Sequence, residues 1–424
     1  MRNVFKHLLK TFFMNFKFAH IADCHLGSWR LESLKQLSLK HFERAVNECV
    51  NRKVDFVIIA GDLFDTALPS VEVLKFAAKQ FRLLRDNNIP VFVIPGSHDY
   101  SPTNKTMISV LEQAGLLTNL AKIETREGVQ VLKPFTVKHL NVCLQGVPGR
   151  SSGLETEFFT VLKPSPCQGF KIFVFHTSIT EFLQGKAFES IPASMLPEGF
   201  NYYAAGHLHL KSLKTVDGRL IAYPGPLTST SFDEFSTLEN NSFYIVTVNN
   251  GTISNIEQVV VSENPVVSIH VNADNLSPSQ VRNKVLQELQ VKNLENSVVL
   301  LRIEGVLSSG TVSDIEFSKI HSFVTSKGAI AFLKNISKLS TKSFEQSSFE
   351  QEFQSVEELE LNIVKQHLGQ FKTWFSSKEL SVVKALTTAL NIEKSDEESR
   401  TGYEERVSAE FENFLQKELN LDLE

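Results

Sequence analysis

Short apolar runs alternate with amphipathic helical spacings along the first 260 residues of the chain. FKFAHIA, Phe16 to Ala22, reads as a buried strand, and the spacing after it predicts a helix from about Glu32 to Asn51. VDFVIIA, Val54 to Ala60, is almost continuously apolar and stops at Gly61 and Asp62. A second helix from about Ser70 to Asn87 leads to PVFVIP, Pro90 to Pro95. Strands covered on both faces read as unbroken apolar runs, so this is a βαβαβ pattern with parallel strands. Later strands are KIFVFH (Lys171 to His176), NYYAAGH (Asn201 to His207) and a pair at Ser242 to Val248 and Ile253 to Val260. The mixture of parallel and hairpin-linked strands predicts a large α/β sandwich.

Near Glu263 to Pro265 the pattern restarts. Val266 to Val271 and Ser297 to Gly305 read as strands, and Ala329 to Leu333 as a short third one. Ser277 to Leu289 reads as a helix that Ser277 and Gln280 can cap reciprocally, and Asp314 to Val324 as another. The expected organisation is an extension at 1–13, a first domain at 14–263, a small α+β domain at 264–336, a polar linker at 337–348 and a helical tail at 349–424. In the tail, Val407, Phe411, Phe414, Leu415 and Leu419 fall at helical spacing.

Charge sharpens this division. Of 43 Lys+Arg and 48 Asp+Glu, 9 and 18 fall from residue 341 onward, leaving 34 and 30 before it. Any polyanion contact therefore belongs to the first 340 residues, and the tail is acidic. The cysteines Cys24, Cys49, Cys143 and Cys167 are scattered and form no C-x-x-C pair. Reduced thiols in an intracellular protein are the expectation, and a disulfide or zinc-finger framework is not. No apolar run reaches the ~20 residues of a membrane span, and a cytoplasmic location is expected.

The candidate chemistry sits where predicted strands stop. Asp23 and His25 (A-D-C-H) follow the first strand, Asp62 (G-D-L-F-D) the second, and His98 (P-G-S-H-D) the third. His176 (F-H-T) ends a later strand, and His207 and His209 (G-H-L-H) end another. Sites in open α/β sheets form outside the carboxyl ends of strands, so all five motifs point at one rim. A single histidine at a strand end is more often a satisfied core or surface residue. The ordered set argues for metal. Carboxylate and imidazole without thiolate suit Mn²⁺, Fe²⁺ or Zn²⁺. Asp62, at a loop apex, is placed to bridge two cations, which can bind a scissile phosphate and activate water. His98 is the candidate general acid, with Asp99 expected to orient its ring. Two other histidines fall outside the motifs: His20 is expected to be packed or hydrogen-bonded, and His41 to lie on the surface.

The order and spacing of these residues resemble the calcineurin-like metallophosphoesterases. H-I-A-D-C-H-L-G, G-D-L-F-D-T-A-L-P-S, V-I-P-G-S-H-D and Y-P-G-P-L-T-S-T-S-F-D-E (Tyr223 to Glu234) further resemble one branch, the SbcD-type (Mre-type) double-strand-break repair nucleases. The resemblance implies two mixed β-sheets flanked by helices, a small α+β domain capping DNA, and a C-terminal helical segment that binds an ATPase. It implies one metal held by Asp23, His25, Asp62 and His209, and a second held by Asp62, Ser97, His176 and His207. His98 would be catalytic. The family usually has Asn where this chain has Ser97, so the second metal is expected to be held less firmly. Asp65 is a residue that orients a ligand or substrate, or a helix cap. The implied activity is Mn²⁺-dependent exo- and endonuclease action on DNA ends, with an SMC-like coiled-coil ATPase of the SbcC type as partner. A homodimer through helices near 70 to 86 and 105 to 115 is also implied. In the tail, Phe411, Phe414, Leu415 and Leu419 would anchor the ATPase. Two other readings compete: a stand-alone phosphoesterase for a small nucleotide or phosphomonoester, and a scaffold that recruits partners.

Overall fold

The computed structural model describes residues 15–101, 105–149, 155–183 and 189–341, and toward the C-terminus residues 382, 383, 386, 403 and 406–413. The chain divides into two compact units, Met1–Thr341 and Lys342–Glu424. The first unit opens with β1 (Phe16–Ile21), α1 (Glu32–Asn51), β2 (Phe56–Ala60), α2 (Val71–Asp86), β3 (Val91–Ile94), α3 (Met107–Gln113) and β4 (Thr118–Asn119). Then come β5 (Ile123–Arg126), β6 (Val129–Leu132), β7 (Phe135–Val137), β8 (Val142–Val147), α4 (Glu155–Thr160) and β9 (Leu162–Pro164). It continues with β10 (Phe170–His176), β11 (Tyr202–Gly206), β12 (Lys211–Val216), β13 (Arg219–Pro224), α5 (Phe232–Thr237), β14 (Ser242–Asn249) and β15 (Thr252–Val260).

Two mixed six-stranded sheets result, ordered β15-β14-β1-β2-β3-β4 and β12-β13-β11-β10-β8-β7, plus a three-stranded sheet β5-β6-β9. Side chains alternate across each strand. Phe16, Phe18, Phe56, Ile58 and Phe92 meet Leu144, Ile172, Val174 and Tyr202 between the large sheets. Ala19, Ile21, Val57 and Ile59 pack instead under α1 and α2, against Phe42, Val46, Ala77 and Phe81. Phe173, Phe175 and Tyr203 cover the outer face of the second sheet with Phe182 and Tyr223. Ser70 caps α2 by accepting the Val73 N–H, a contact worth about 1 kcal/mol.

His20 shows how a buried polar group on these faces is satisfied. His20 lies fully inside, with Nδ1 2.9 Å from the Tyr202 hydroxyl and Nε2 3.2 Å from the Ala205 oxygen. A carbonyl only accepts, so Nε2 carries the hydrogen and Nδ1 accepts from the tyrosine. Burial pushes this ring down to about 3, against the backbone bond, which keeps it neutral. His41 corrects an expectation. It is not on the surface but 4% exposed, donating from Nδ1 to the Leu227 oxygen at 3.1 Å. Leu34, Leu37, Ser38, His41, Ala45 and Cys49 form one buried stripe of α1. The thiol expectation is corrected too. Cys143 and Cys167 form a disulfide across 24 residues, while Cys24 and Cys49 are free and buried. The bridge joins the start of β8 to the turn before β10, which become neighbours only when those strands pair in parallel.

Residues 266–341 build a second core. β16 (Val266–Asn272), α6 (Pro278–Gln290), β17 (Val298–Leu307), α7 (Phe317–Ser326) and β18 (Ala331–Thr341) form a parallel sheet ordered β16-β17-β18. Val271, Val285, Ile303 and Ile320 lie at its centre. The capping box on Ser277 and Gln280 is present. The helix expected from Asp314 is instead a 3₁₀ turn, Val312–Ile315, followed by Glu316 at φ 58° and then α7. The expected short strand runs on to Thr341, so the stretch read as linker from residue 337 begins as β-structure. Leu34, Leu37 and Phe235 pack against Val298, Leu300 and Ala331, joining this core to the first.

In the second unit, residues 406–413 are helical and Phe411 is 37% exposed. Phe414, Leu415 and Leu419 lie outside the described residues, as does the extension at 1–13. Among the described residues no helix is long and apolar enough to cross a membrane.

Candidate metal centre

The carboxyl ends of β1, β2, β3, β10 and β11 deliver every motif to one rim. Asp23 and His25 follow β1, Asp62 follows β2, Ser97 to Asp99 follow β3, His176 ends β10, and His207 and His209 follow β11. The loops brace one another through backbone bonds. Asp23 N–H donates to the Gly61 oxygen at 3.2 Å, and His25 N–H to the Asp62 oxygen at 3.0 Å. Asp23 Oδ1 accepts the His207 N–H at 2.9 Å, and Asp62 Oδ1 accepts the His98 N–H at 2.8 Å. Asp23, His25, Asp62 and His207 hold φ of 50°, 42°, 49° and 88°. Positive φ is uncommon for residues with a side chain, and its concentration here marks strain held by the surrounding sheet. Glycine makes the closeness possible. A Cβ on Gly61 would stand 2.1 Å from His176 Nδ1, and one on Gly206 would stand 2.0 Å from the Ala60 oxygen.

Two groups form where the sequence predicts two metals. Asp23, His25 and His209 converge on one point, and Asp62, His176 and His207 on another. A third grouping of His25, Asp62 and His98 lies between these residues' motifs. His25 Nε2 is 3.1 Å from His209 Nε2 and 3.8 Å from Asp62 Oδ2, while His176 Nε2 is 3.1 Å from Asp62 Oδ2. Outer partners fix the rings. His176 donates from Nδ1 to the Ala60 oxygen at 2.9 Å, and His209 from Nδ1 to Glu234 Oε1 at 2.9 Å. Once it has given up its second proton to a cation, each ring would present its Nε2 lone pair to the cluster, the usual outer support of a metal-bound histidine. Asp23 Oδ2 and His176 Nε2 are buried without a hydrogen-bond partner. Unsatisfied lone pairs converging among carboxylates fit a divalent cation. The Ser97 main chain and the His176 ring both border Gly149: a Cβ there would come 2.6 Å from His176 Cδ2 and 2.9 Å from the Ser97 nitrogen.

The field of the cluster matches this. Burial alone would raise Asp62, yet His176, His25 and the His98 N–H hold its carboxyl well below the usual carboxylate range. Burial would lower His176, but Asp62 and Asp23 raise it to about 10. Burial and the charge of His176 push His207 down to about 3. The carboxylates thus hold positive charge at His176, where a cation would compete with that proton.

His98 is exposed, with Nδ1 donating to the Asp65 oxygen at 2.8 Å. Asp99 does not hold this ring, which corrects the expected role. Its carboxylate is buried and accepts three backbone N–H groups, Leu63 at 3.1 Å, Phe64 at 2.9 Å and Gly96 at 2.8 Å. It ties the loop after β2 to the loop after β3. Asp65 takes the orienting part by its carbonyl, and its carboxylate lies 3.3 Å from His25 Nδ1. Glu234 is the residue the sequence reading did not assign. It lies inside the quoted Tyr223 to Glu234 motif, but nothing local ties it to His209, 25 residues away.

The calcineurin-like phosphoesterase family matches residues 16–211. Those residues are similar to a calcineurin-like phosphoesterase domain. Over part of its length the chain is also similar to several Mre11 proteins. It is 34% identical over 239 residues to the DNA double-strand break repair protein Mre11 of Archaeoglobus fulgidus, covering 52% of each chain. It is 28% identical over 300 residues to the Mre11 of Sulfolobus acidocaldarius, covering 68% of this chain and 75% of that one. The chain thus spans about half the length of the first of these relatives. Among solved structures, a dimetal phosphatase from Danio rerio matches at 14% identity and a TM-score of 0.37, over 58% of this chain and 99% of that one.

Proposed function

We propose that this chain is a nuclease that hydrolyses phosphodiester bonds at DNA ends in double-strand-break repair, using two Mn²⁺ ions. The observation that carries the reading is two adjacent ligand groups, with Asp62 of the second 3.8 Å from His25 of the first and the exposed His98 beside both. Bound divalent cations supply Lewis acidity to a phosphodiester at neutral pH. The chain's own residues do the rest. Asp62, Asp23 and the four histidines of the two groups hold the charge. Asp65 accepts from His98 Nδ1, which leaves Nε2 to carry a proton to the leaving oxygen. The Mre11 relatives support DNA as the substrate, and the module at 266–341 is the candidate DNA-capping element. The oxygen and nitrogen donor set without thiolate is compatible with Mn²⁺, as with Fe²⁺ or Zn²⁺, and Mn²⁺ is the ion that the family resemblance implies.

The test is degradation of linear duplex DNA with Mn²⁺, compared with a chromogenic phosphodiester. His98→Ala should keep metal and DNA binding but lose roughly 10²–10⁴-fold in rate. Less than one equivalent of metal, with no Mn²⁺-dependent hydrolysis, would leave the scaffold reading standing instead.

Two assemblies belong to the same proposal. Val71, Leu83 and Val110 are exposed on α2 and α3, which supports a homodimer through these helices. The acidic tail, with Phe411 exposed, is the candidate seat for an SMC-like coiled-coil ATPase. Phe411→Ala with Leu415→Ala should abolish co-purification of such an ATPase and spare diester hydrolysis.

A further inference from the structure

Helix α5 is six residues long, and consecutive side chains leave it for two destinations. Asp233 Oδ1 accepts from Arg302 of β17 at 2.6 Å, and the same guanidinium lies 5.0 Å from the Phe232 ring centroid. Phe235 packs with Val298, Leu300 and Ala331 of the 266–341 module. Between them, Glu234 turns toward the metal centre. Its Oε1 accepts from His209 Nδ1 at 2.9 Å and its Oε2 from the Thr230 N–H at 2.7 Å. Its own N–H donates to the Ser231 cap at 3.2 Å. The carboxylate thus has little freedom independent of the helix.

We propose that α5 transmits the position of the 266–341 module to one metal of the pair, with Glu234 as the positioning residue that fixes His209. The inference rests on the metal-centre reading above. It is one-sided by construction. His209 is held by a side chain from α5, whereas His176 is held by the Ala60 carbonyl at the end of β2. A shift of β17 against the first sheet moves Arg302, then α5, then the carboxylate that aims His209. Among the described residues, the hydrogen bond that holds His176 comes from β2 and not from α5.

Mn²⁺ titration of the purified full chain by calorimetry tests this. Wild type should bind in two steps. Glu234→Gln should weaken one step by roughly 10- to 100-fold and spare the other, as loss of an outer carboxylate partner does elsewhere. Arg302→Ala, which changes no ligand, should weaken that same step by roughly twofold or more. Arg302→Lys, which keeps a cation for Asp233, should recover part of the loss. If wild type shows two steps and Arg302→Ala leaves both unchanged, the coupling is wrong while the metal reading stands. If Arg302→Ala weakens both steps equally, the effect is on the whole fold and the coupling is again wrong. If wild type takes up no Mn²⁺, the metal reading falls and this inference with it.

Discussion

The two ligand groups approach each other at Asp62, 3.8 Å from His25 and 3.1 Å from His176, but are built from different materials. The half with His176 and His207 is made by the sheets themselves. Its key ring is held by the backbone of β2, and glycines at 61, 149 and 206 let main chain and imidazole pack in contact. The half with Asp23, His25 and His209 relies on side chains from outside the sheet, Glu234 on α5 and Asp65 in the loop after β2. A backbone-built half is indifferent to distant side chains and intolerant of any added Cβ. A half supported by side chains is the reverse, and it is the one that can respond to the rest of the protein.

Asp62 is the point where the comparison can break outright. Asp62→Ala should reduce Mn²⁺ uptake from two equivalents to less than one, measured by elemental analysis. Hydrolysis should fall on the order of 1,000-fold or more, since loss of even one preorganised electrostatic group typically costs 10²–10³. Retention of one full equivalent would mean that the halves are independent and that Asp62 is not shared. The next largest effect is on stability. Asp99→Ala would strand the N–H groups of Leu63, Phe64 and Gly96 in a buried site. The expected cost is about 2–4 kcal/mol, from unsatisfied groups at about 1–3 kcal/mol each with partial relaxation. Urea unfolding measures it. An Asp99→Ala protein of wild-type stability but low activity would restore Asp99 to the chemistry and sharpen the contrast in the other direction.

How much of this was legible in the sequence depends on how local each feature is. The strands that carry ligands were readable because they are unbroken apolar runs, and the ligands because each stands within a few residues of a strand end. Two-residue neighbours misled. His98 and Asp99 are adjacent in sequence, yet one is exposed and the other is buried on backbone donors. Only the turn after β3 separates their directions. His41 was readable in principle, since it falls on the same helical stripe as Leu34, Leu37 and Ala45. The Cys143–Cys167 bridge and the Glu234–His209 contact were not, because each depends on which distant segments the folded sheets bring together. Glu316 at φ 58° broke an expected helix without a glycine or proline to announce it.

The smallest effect should come from Ser97, and it sharpens the comparison most finely. Ser97 stands in the sheet-built half, beside the His176 ring and Gly149. A hydroxyl is shorter than the amide usual at this position and a weaker partner for a divalent cation. On the proposal that Ser97 is a ligand, the sheet-built half would be the weaker of the two in metal affinity despite its rigid backbone. Ser97→Asn should tighten one Mn²⁺ step by up to about tenfold, the lower end of what ligand-sphere changes produce, and leave the other step and the urea midpoint unchanged. Combined with Glu234→Gln, the two changes should act on different steps and add, because residues that share no partner are independent. If Ser97→Asn instead shifts the step that Glu234→Gln weakens, the assignment of His209 and His176 to separate metals is wrong.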